Sequence, residues 1–302
     1  MRLQNIIKFI FFGNYFYGIC AVALSIEASL QQRYPLNEVI FYVALFAATT
    51  WYYTKAYVTE QTALTVNQRT NWYIHYKILV KWSQHVLELI MGICFLLFLI
   101  SHGENLLYLR PLLFLLIVIF PVVAGLYYGV ETKIIGNFNL RKIGWIKPFV
   151  IGFTWAGLTT VYPVIYYSIV NQAKGDVTLI GLFLFVKNFL FVTVLCIMFD
   201  IKDFAMDYNR QLKTFVVNHG LRNTIFYILI PLSVAGLGSF LLYGYIRDFS
   251  VMRIILNTIP FLLMIRVAYA LHRRKNILFY LILIDGLMLV KAICGSLGVL
   301  FF

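Results

Sequence analysis

Apolar residues in this chain are gathered into long continuous runs, and polar residues are confined mainly to the segments between them. A helix needs about 20 mostly apolar residues to cross the hydrocarbon core of a membrane. A barrel would instead show short segments in which apolar and polar residues alternate. The runs therefore predict helical spans, whose backbones satisfy their own hydrogen bonds in lipid. About nine candidate spans lie at residues 5–26, 38–58, 80–101, 110–130, 147–170, 178–199, 223–246, 250–271 and 276–301.

This pattern predicts an all-α fold, a polytopic membrane bundle of about nine transmembrane helices. The composition agrees, since 62% of the residues are hydrophobic, 12% are charged and the mean hydropathy is +0.84. The polar connections are short, so residues 1–302 are predicted to form a single membrane domain. Prolines at positions 121, 163, 231 and 260 suggest kinked helices around a central cavity.

Basic residues outside the apolar runs predict the orientation of the chain. They are concentrated in every second connection, and the odd connections are poor in them. The basic residues of the even connections are Arg69, Lys77, Lys133, Arg141, Lys142, Lys147, Lys202, Arg210, Lys213, Arg222, Arg273, Arg274 and Lys275. The amino terminus and these connections are therefore predicted to be cytoplasmic, and the carboxyl terminus external.

The net charge of +13 is explained largely by these basic connections, which also lie favourably against anionic lipid headgroups. A positive field that attracts an anionic substrate such as a diphosphate is the second interpretation. Nucleic acid is excluded as a partner, because no compact basic domain exists outside the spans.

The strongest candidate for chemistry follows the sixth apolar run. Three of the six aspartates, Asp200, Asp203 and Asp207, fall within eight positions. On a helix these positions lie within about 60° of one another, so the three carboxylates would project from one face. Such crowding is costly unless a cation binds, and carboxylate oxygens together with water and phosphate oxygens are the ligands that Mg²⁺ prefers. The spacing therefore predicts a Mg²⁺ site.

The segment Phe199 to Thr214, with the sequence FDIKDFAMDYNRQLKT, resembles the second aspartate-rich motif of the UbiA superfamily of intramembrane prenyltransferases. The three aspartates match the D-x-x-D-x-x-x-D pattern that follows the sixth span, and Lys213 with Thr214 match the residues behind it. A weaker match runs from Leu140 through Lys147 and Pro148 to Trp155, where family members place a basic connection before the fifth span.

The resemblance implies a helical bundle with a central cavity that transfers a polyprenyl group from its diphosphate to an acceptor. In that interpretation Mg²⁺ bridges Asp200, Asp203 and Asp207 to the diphosphate, and the lipid tail lies among the helices. The resemblance also assigns the diphosphate a set of basic partners. These are Arg210, Lys213, Lys55 and Lys147.

One segment departs from the family pattern. Family members carry a first acidic motif of the type N-D-x-x-D at the end of the second span. The corresponding residues from Ala48 to Glu60 include no aspartate and no asparagine. Lys55 lies about where the acids are expected, and Glu60 is the only carboxylate nearby. Lys55 would then pair with phosphate directly in place of a metal.

Two ionisable residues lie deep within apolar runs, Lys187 in the sixth and Asp285 in the ninth. Charges at such depth are rarely exposed to lipid, so both are predicted to face protein or the cavity. A structural ion pair between Lys187 and Asp285 is one interpretation, and binding of an acceptor's polar head is the other.

Three functions are compatible with these features. The first is Mg²⁺-dependent prenyl transfer, supported by the intact second motif. The second is a catalytically silent relative that binds an isoprenoid or another lipid, supported by the missing first motif. The third is a transporter or channel, supported by the number of spans and by the buried charges.

Overall fold

The computed structural model of the protein describes residues 2–59, 68–128, 130–132, 136–138, 140, 143–173, 178–209, 211–272 and 277–302. Nearly all of these residues are helical. The helices are α1 (Arg2–Phe12), α2 (Tyr15–Gln31), α3 (Val39–Thr59), α4 (Gln68–His75), α5 (Lys77–His102), α6 (Pro111–Tyr128), α7 (Lys147–Ala156), α8 (Tyr162–Val170), α9 (Leu179–Asn209), α10 (Phe215–Asn223), α11 (Ile230–Ile246), α12 (Val251–Ala270), α13 (Ile277–Phe279) and α14 (Asp285–Leu300). Two short antiparallel strands, β1 (Val130–Thr132) and β2 (Gly136–Phe138), follow α6.

Three π-helical segments connect consecutive helices within apparent single spans. They are Gly157–Val161 between α7 and α8, Thr224–Leu229 between α10 and α11, and Tyr280–Ile284 between α13 and α14. Proline follows the first two segments closely, at Pro163 and Pro231. Because proline lacks an N–H and its ring clashes with the carbonyl four residues earlier, the wider π turn accommodates it.

Four helices end in the same capping motif. Arg33, Gln172, Gln211 and Asp248 follow α2, α8, α9 and α11, and each has a positive φ. In each case the next residue donates its backbone N–H to the carbonyl five positions back, as from Leu212 to Asp207 at 2.9 Å. This is the Schellman arrangement, formed here without the glycine that usually occupies the left-handed position.

The helices form two compact units. The first comprises residues 1–23, 36–109 and 166–173, and α3 packs against α5 within it. The second comprises residues 24–35, 110–165 and 174–302. Its principal packing partners are α7 with α9, α12 with α14, and α11 with both α9 and α12. The three aspartates of the predicted cluster lie in the second unit, as do Lys147, Lys187 and Lys291.

Among the described residues, six helical stretches are long and apolar enough to cross a membrane, and a seventh is obtained if α1 and α2, which meet at a 66° bend, form one span. The chain is therefore a predominantly helical, multi-pass membrane protein. The nine-span count remains a prediction, because α3 and the shorter α6 occupy two of the predicted spans but are not among these stretches. Large apolar side chains such as Ile78 and Leu96 on α5 are exposed, as residues in contact with lipid are expected to be.

Candidate functional site

The predicted aspartate cluster lies on the last turns of α9. This helix continues beyond its apolar stretch to Asn209, so all three aspartates belong to one helix. Asp200 is 0% exposed and Asp207 is 4% exposed, whereas the Asp203 side chain is partly accessible. Two of the three carboxylates are therefore buried in the protein rather than solvated.

Asp200 is paired with a lysine from a neighbouring helix. Lys147 is the first residue of α7, and its Nζ donates to Asp200 Oδ1 at 2.6 Å. The second oxygen, Asp200 Oδ2, is buried and has no hydrogen-bond partner among the described residues. An unsatisfied buried carboxylate oxygen is costly, so this atom is suited to accept a cation or a bound water.

The other two aspartates extend the cluster. Asp207 interacts electrostatically with both Lys147 and Asp200. Asp203 lies 3.3 Å from Nζ of the adjacent Lys202, in a more accessible position. The cluster thus combines three carboxylates with two lysines, one of which reaches it from α7.

Gly144 allows the segment before α7 to pack closely against the segment after α9. A Cβ atom at Gly144 would lie 2.6 Å from the carbonyl carbon of Lys213 and 2.7 Å from the amide nitrogen of Thr214. Thr214 is buried and caps α10 by accepting from the amide of Val217. The two segments that carry the UbiA resemblance, far apart in sequence, therefore lie side by side.

Lys213 follows the Schellman turn at Gln211 and its side chain is exposed. Arg210, predicted to contact the diphosphate, lies outside the described residues. Lys55, predicted to replace the first acidic motif, lies near the end of α3 in the first unit. Its ammonium is 4.3 Å from the centroid of the Trp51 ring.

A second group of charges is buried deeper in the second unit. Lys291 Nζ donates to Glu27 Oε2 at 2.6 Å, and Lys187 Nζ lies 3.9 Å from Glu27 Oε1. Lys187 also donates to Asn257 Oδ1 at 3.1 Å, and Gln31 donates to Glu27 at 2.6 Å. One carboxylate is thus shared by two buried lysines.

The ion pair expected between Lys187 and Asp285 is not the one that forms, because Lys187 faces Glu27 and Asn257. Asp285 is buried at the start of α14. Both side chains are nevertheless buried, at 2% exposure each, as the cost of a charge in lipid predicts.

The sequence analysis missed Glu27 and Asn257. Glu27 follows the apolar residues of the first run directly and resembles a residue at a span end. A signal was available, because apolar and small residues continue on both sides of it, from Cys20 to Leu30. An acid in such surroundings is expected to have a buried partner.

The donor chemistry of the aspartate cluster suits Mg²⁺, which binds oxygen ligands. Within the described residues, no group of three His, Cys, Asp or Glu side chains is close enough to surround one ion. Mg²⁺ is commonly held by only one or two carboxylates, with waters and substrate phosphates as the other ligands. The unsatisfied Asp200 Oδ2 fits that smaller requirement.

In comparisons with known proteins, no protein-family model, curated protein or solved structure matches the chain. The fold and the site define an α-helical integral membrane protein with a buried acid and lysine cluster at the end of one long helix. The UbiA resemblance rests on the residues between 140 and 214.

Proposed function

We propose that this protein transfers a polyprenyl group from a polyprenyl diphosphate to an acceptor within the membrane. The observation that carries the proposal is the contact between Lys147 and Asp200, which joins the two resembling segments at the end of an apolar helix. Charged groups at the edge of the hydrocarbon region suit a substrate that has a charged head and a long apolar tail.

In this proposal Asp200 would bind Mg²⁺ through its unsatisfied Oδ2, and Asp203 and Asp207 would add negative charge that favours the ion. When bound, Mg²⁺ supplies positive charge that stabilises the diphosphate as it leaves. Lys213 and Arg210 are proposed to bind the phosphate oxygens, together with Lys147, which would turn from Asp200 towards the substrate. The phosphate contact expected of Lys55 stays a prediction from the sequence. Basic groups fixed in a poorly hydrated site stabilise developing negative charge more strongly than they would in water.

The finer architecture belongs to the same proposal. Nine spans would surround a central cavity that holds the isoprenoid tail and keeps water from an allylic carbocation. The aspartate cluster would face the cytoplasm, and the carboxyl terminus would be external. The acceptor remains a nucleophile of unspecified class.

A catalytically silent lipid-binding relative is the second candidate. Two observations favour it. Lys147 already neutralises Asp200, and Lys55 with its neighbours replaces the first acidic motif. A protein of this kind would bind the diphosphate without releasing pyrophosphate from it.

Ligand-dependent thermal stability tests the metal site. A ligand that binds only the native state stabilises it by mass action, by about 2.7 kcal/mol at 100 times its Kd. We expect Mg²⁺ together with geranylgeranyl diphosphate to raise the unfolding temperature of the detergent-purified protein more than the two separate shifts combined. Asp203→Asn, which removes one charge while keeping the side-chain size, should remove most of this synergy.

Asp248→Asn is the matched control, because Asp248 is exposed at the end of α11 and far in sequence from the cluster. It should leave the synergy unchanged. An equal response of wild type and Asp203→Asn would refute the metal site. Pyrophosphate release with a mixture of candidate aromatic acceptors separates the enzyme from the silent relative.

A further inference from the structure

A groove of about 630 Å³ lies within the first unit, apart from the aspartate cluster. It is formed by one face of α1 and one face of α4. Asn5, Lys8, Phe9 and Phe12 come from α1, at the i, i+3, i+4 and i+7 spacing of a single helical face. This volume is within the range of sites that bind small molecules or lipid heads.

The α4 side of the groove repeats the same spacing. Gln68, Asn71, Trp72 and His75 line it. The Trp72 ring contacts the Phe9 ring edge to face, with centroids 6.1 Å apart. Each wall therefore offers an aromatic surface next to amide and basic groups.

Buried hydrogen bonds fix the angle between α1 and α2. The carbonyl of Phe12, the last residue of α1, accepts from Arg69 Nη2 at 3.1 Å and from Tyr73 Oη at 2.7 Å. Arg69 also donates to Asn14, which donates in turn to Thr54 and Tyr73. Burial raises the pKa of Tyr73 to about 12, so its phenol stays protonated and keeps this bond at neutral pH.

The 66° bend determines how α1 lies relative to a membrane. If α2 crosses the bilayer close to its normal, α1 runs nearer to the membrane plane than to the normal. The groove is then at the level of the lipid headgroups, where tryptophan and tyrosine side chains are enriched.

The ionisable side chains that line the groove, Lys8 and His75, are both basic. The sequence from residue 1 to 26 contains Arg2 and Lys8 and no acid. The sequence from residue 61 to 87 contains two lysines, one arginine and two histidines, again with no acid. Lys8 and His75 are the basic residues of this set that line the groove.

We propose that this groove binds the headgroup of an anionic membrane phospholipid. Lys8 and His75 contact the phosphate, the amides of Asn5 and Asn71 bind its oxygens or the polar headgroup, and the start of an acyl chain lies along Phe9 and Trp72. The proposal rests on residues of the first unit and does not depend on prenyl transfer.

Tryptophan fluorescence tests the site directly. Phosphatidylglycerol with brominated acyl chains, added to the protein in neutral detergent, should quench the fluorescence at lower concentration than phosphatidylcholine with the same chains. The difference in quenching between the two lipids should disappear in Trp72→Phe. It should persist in Trp155→Phe, because the Trp155 side chain is buried in the second unit. Equal quenching by the two lipids would overturn the proposal.

Charge variants identify the contact with the phosphate. Each basic residue near a membrane surface contributes about 1 kcal/mol, which is about a fivefold change in affinity. Lys8→Gln should therefore raise the concentration of phosphatidylglycerol needed for half quenching about fivefold. Lys81→Gln removes the same charge from an exposed position outside the groove and should have little effect.

His75→Gln supplies a second variant if Lys8→Gln does not fold, and it should also raise the concentration of phosphatidylglycerol needed for half quenching. Asp203→Asn should leave phosphatidylglycerol binding intact, which separates this proposal from the metal site. Displacement of the brominated lipid by geranylgeranyl diphosphate, but not by unbrominated phosphatidylglycerol, would show that the groove binds substrate and would overturn the lipid assignment.

Discussion

Glu27 is the residue on which the buried charges of the second unit converge. Its two carboxylate oxygens face different lysines, Lys291 at 2.6 Å and Lys187 at 3.9 Å. These distances assign unequal roles to the lysines, because Lys291 donates a hydrogen bond to Glu27 and Lys187 pairs with it only at a longer distance. Lys187 is satisfied mainly by the Asn257 amide oxygen.

Substituting the two lysines one at a time tests this inequality. Lys291→Met should lower the free energy of unfolding by about 3–5 kcal/mol, because it leaves a buried carboxylate without its closest cation. Lys187→Met should cost less, since Glu27 keeps both Lys291 and Gln31. Denaturant unfolding in detergent measures both effects.

The double variant Glu27→Gln/Lys291→Met is the control for packing. It removes both charges together and should be more stable than Lys291→Met alone. If the double variant were the less stable of the two, the loss would come from lost packing and not from the unpaired carboxylate.

The sequence located Lys187 and Asp285 as buried charges but did not identify their partners. An ionisable residue inside an apolar run can be predicted to be buried in the protein, because contact with lipid would be costly. Its partner depends on which helices pack together, and Glu27 and Lys291 are 264 positions apart. One sequence contains no local signal for a contact of that kind.

At the scale of helices, the close approach of α7 and α9 brings Lys147 to Asp200. Gly152 lies in this interface, and a Cβ atom there would be 2.9 Å from the carbonyl oxygen of Phe189. The Thr193 side chain is closer still. The interface therefore depends on the absence of a side chain at position 152.

Gly152→Ala should destabilise the protein by about 1–3 kcal/mol, because the two backbones would have to move apart. The same variant should weaken the combined response to Mg²⁺ and geranylgeranyl diphosphate, since Lys147 begins the displaced helix. Gly92→Ala in α5 is the matched control, because nothing lies within 4 Å of the added methyl group. Thermal unfolding with and without the ligands measures both effects. An unchanged ligand response in a destabilised Gly152→Ala would show that the site tolerates the shift.

Helix positions could be predicted from the apolar runs, but the irregularities within them could not. The break at Gly13 and Asn14 interrupts an apolar run, and it is held by Arg69 and Tyr73 from a distant helix. Prolines marked two of the three π-helical segments, whereas Tyr280–Ile284 contains and adjoins none. Helix breaks and π-helical segments depend on tertiary contacts, and the pattern of apolar residues along the sequence contains no information about those contacts.

At the scale of the whole molecule, the distribution of basic residues predicts which ends of the helices face the cytoplasm. The candidate site and the segment after α11 provide exposed positions for a test, Lys213 and Asp248. The four native cysteines are buried or nearly so, which leaves a low background for labelling.

Lys213→Cys should react with a membrane-impermeant maleimide only after the cytoplasmic face is opened, whereas Asp248→Cys should react in intact cells. The reason is the excess of lysine and arginine in the even connections, which keeps those connections on the cytoplasmic side. Labelling of both cysteines from the same side would contradict the predicted topology. It would also remove the cytoplasmic assignment of the aspartate cluster.

The ion pair between Glu27 and Lys291 has a consequence for biogenesis. At about 5–20 residues per second, the ribosome adds the last helix about 13 to 50 s after Glu27 has been made. During that interval the nascent chain carries an acid in the bilayer whose permanent counter-charge does not yet exist. The acid must remain sheltered by the insertion machinery until α14 arrives. Insertion of α14 thus supplies the lysine that pairs with the acid of α2. A chain truncated before α14 would leave the Glu27 carboxylate without this partner, and membrane proteases can recognise such an unpaired polar group.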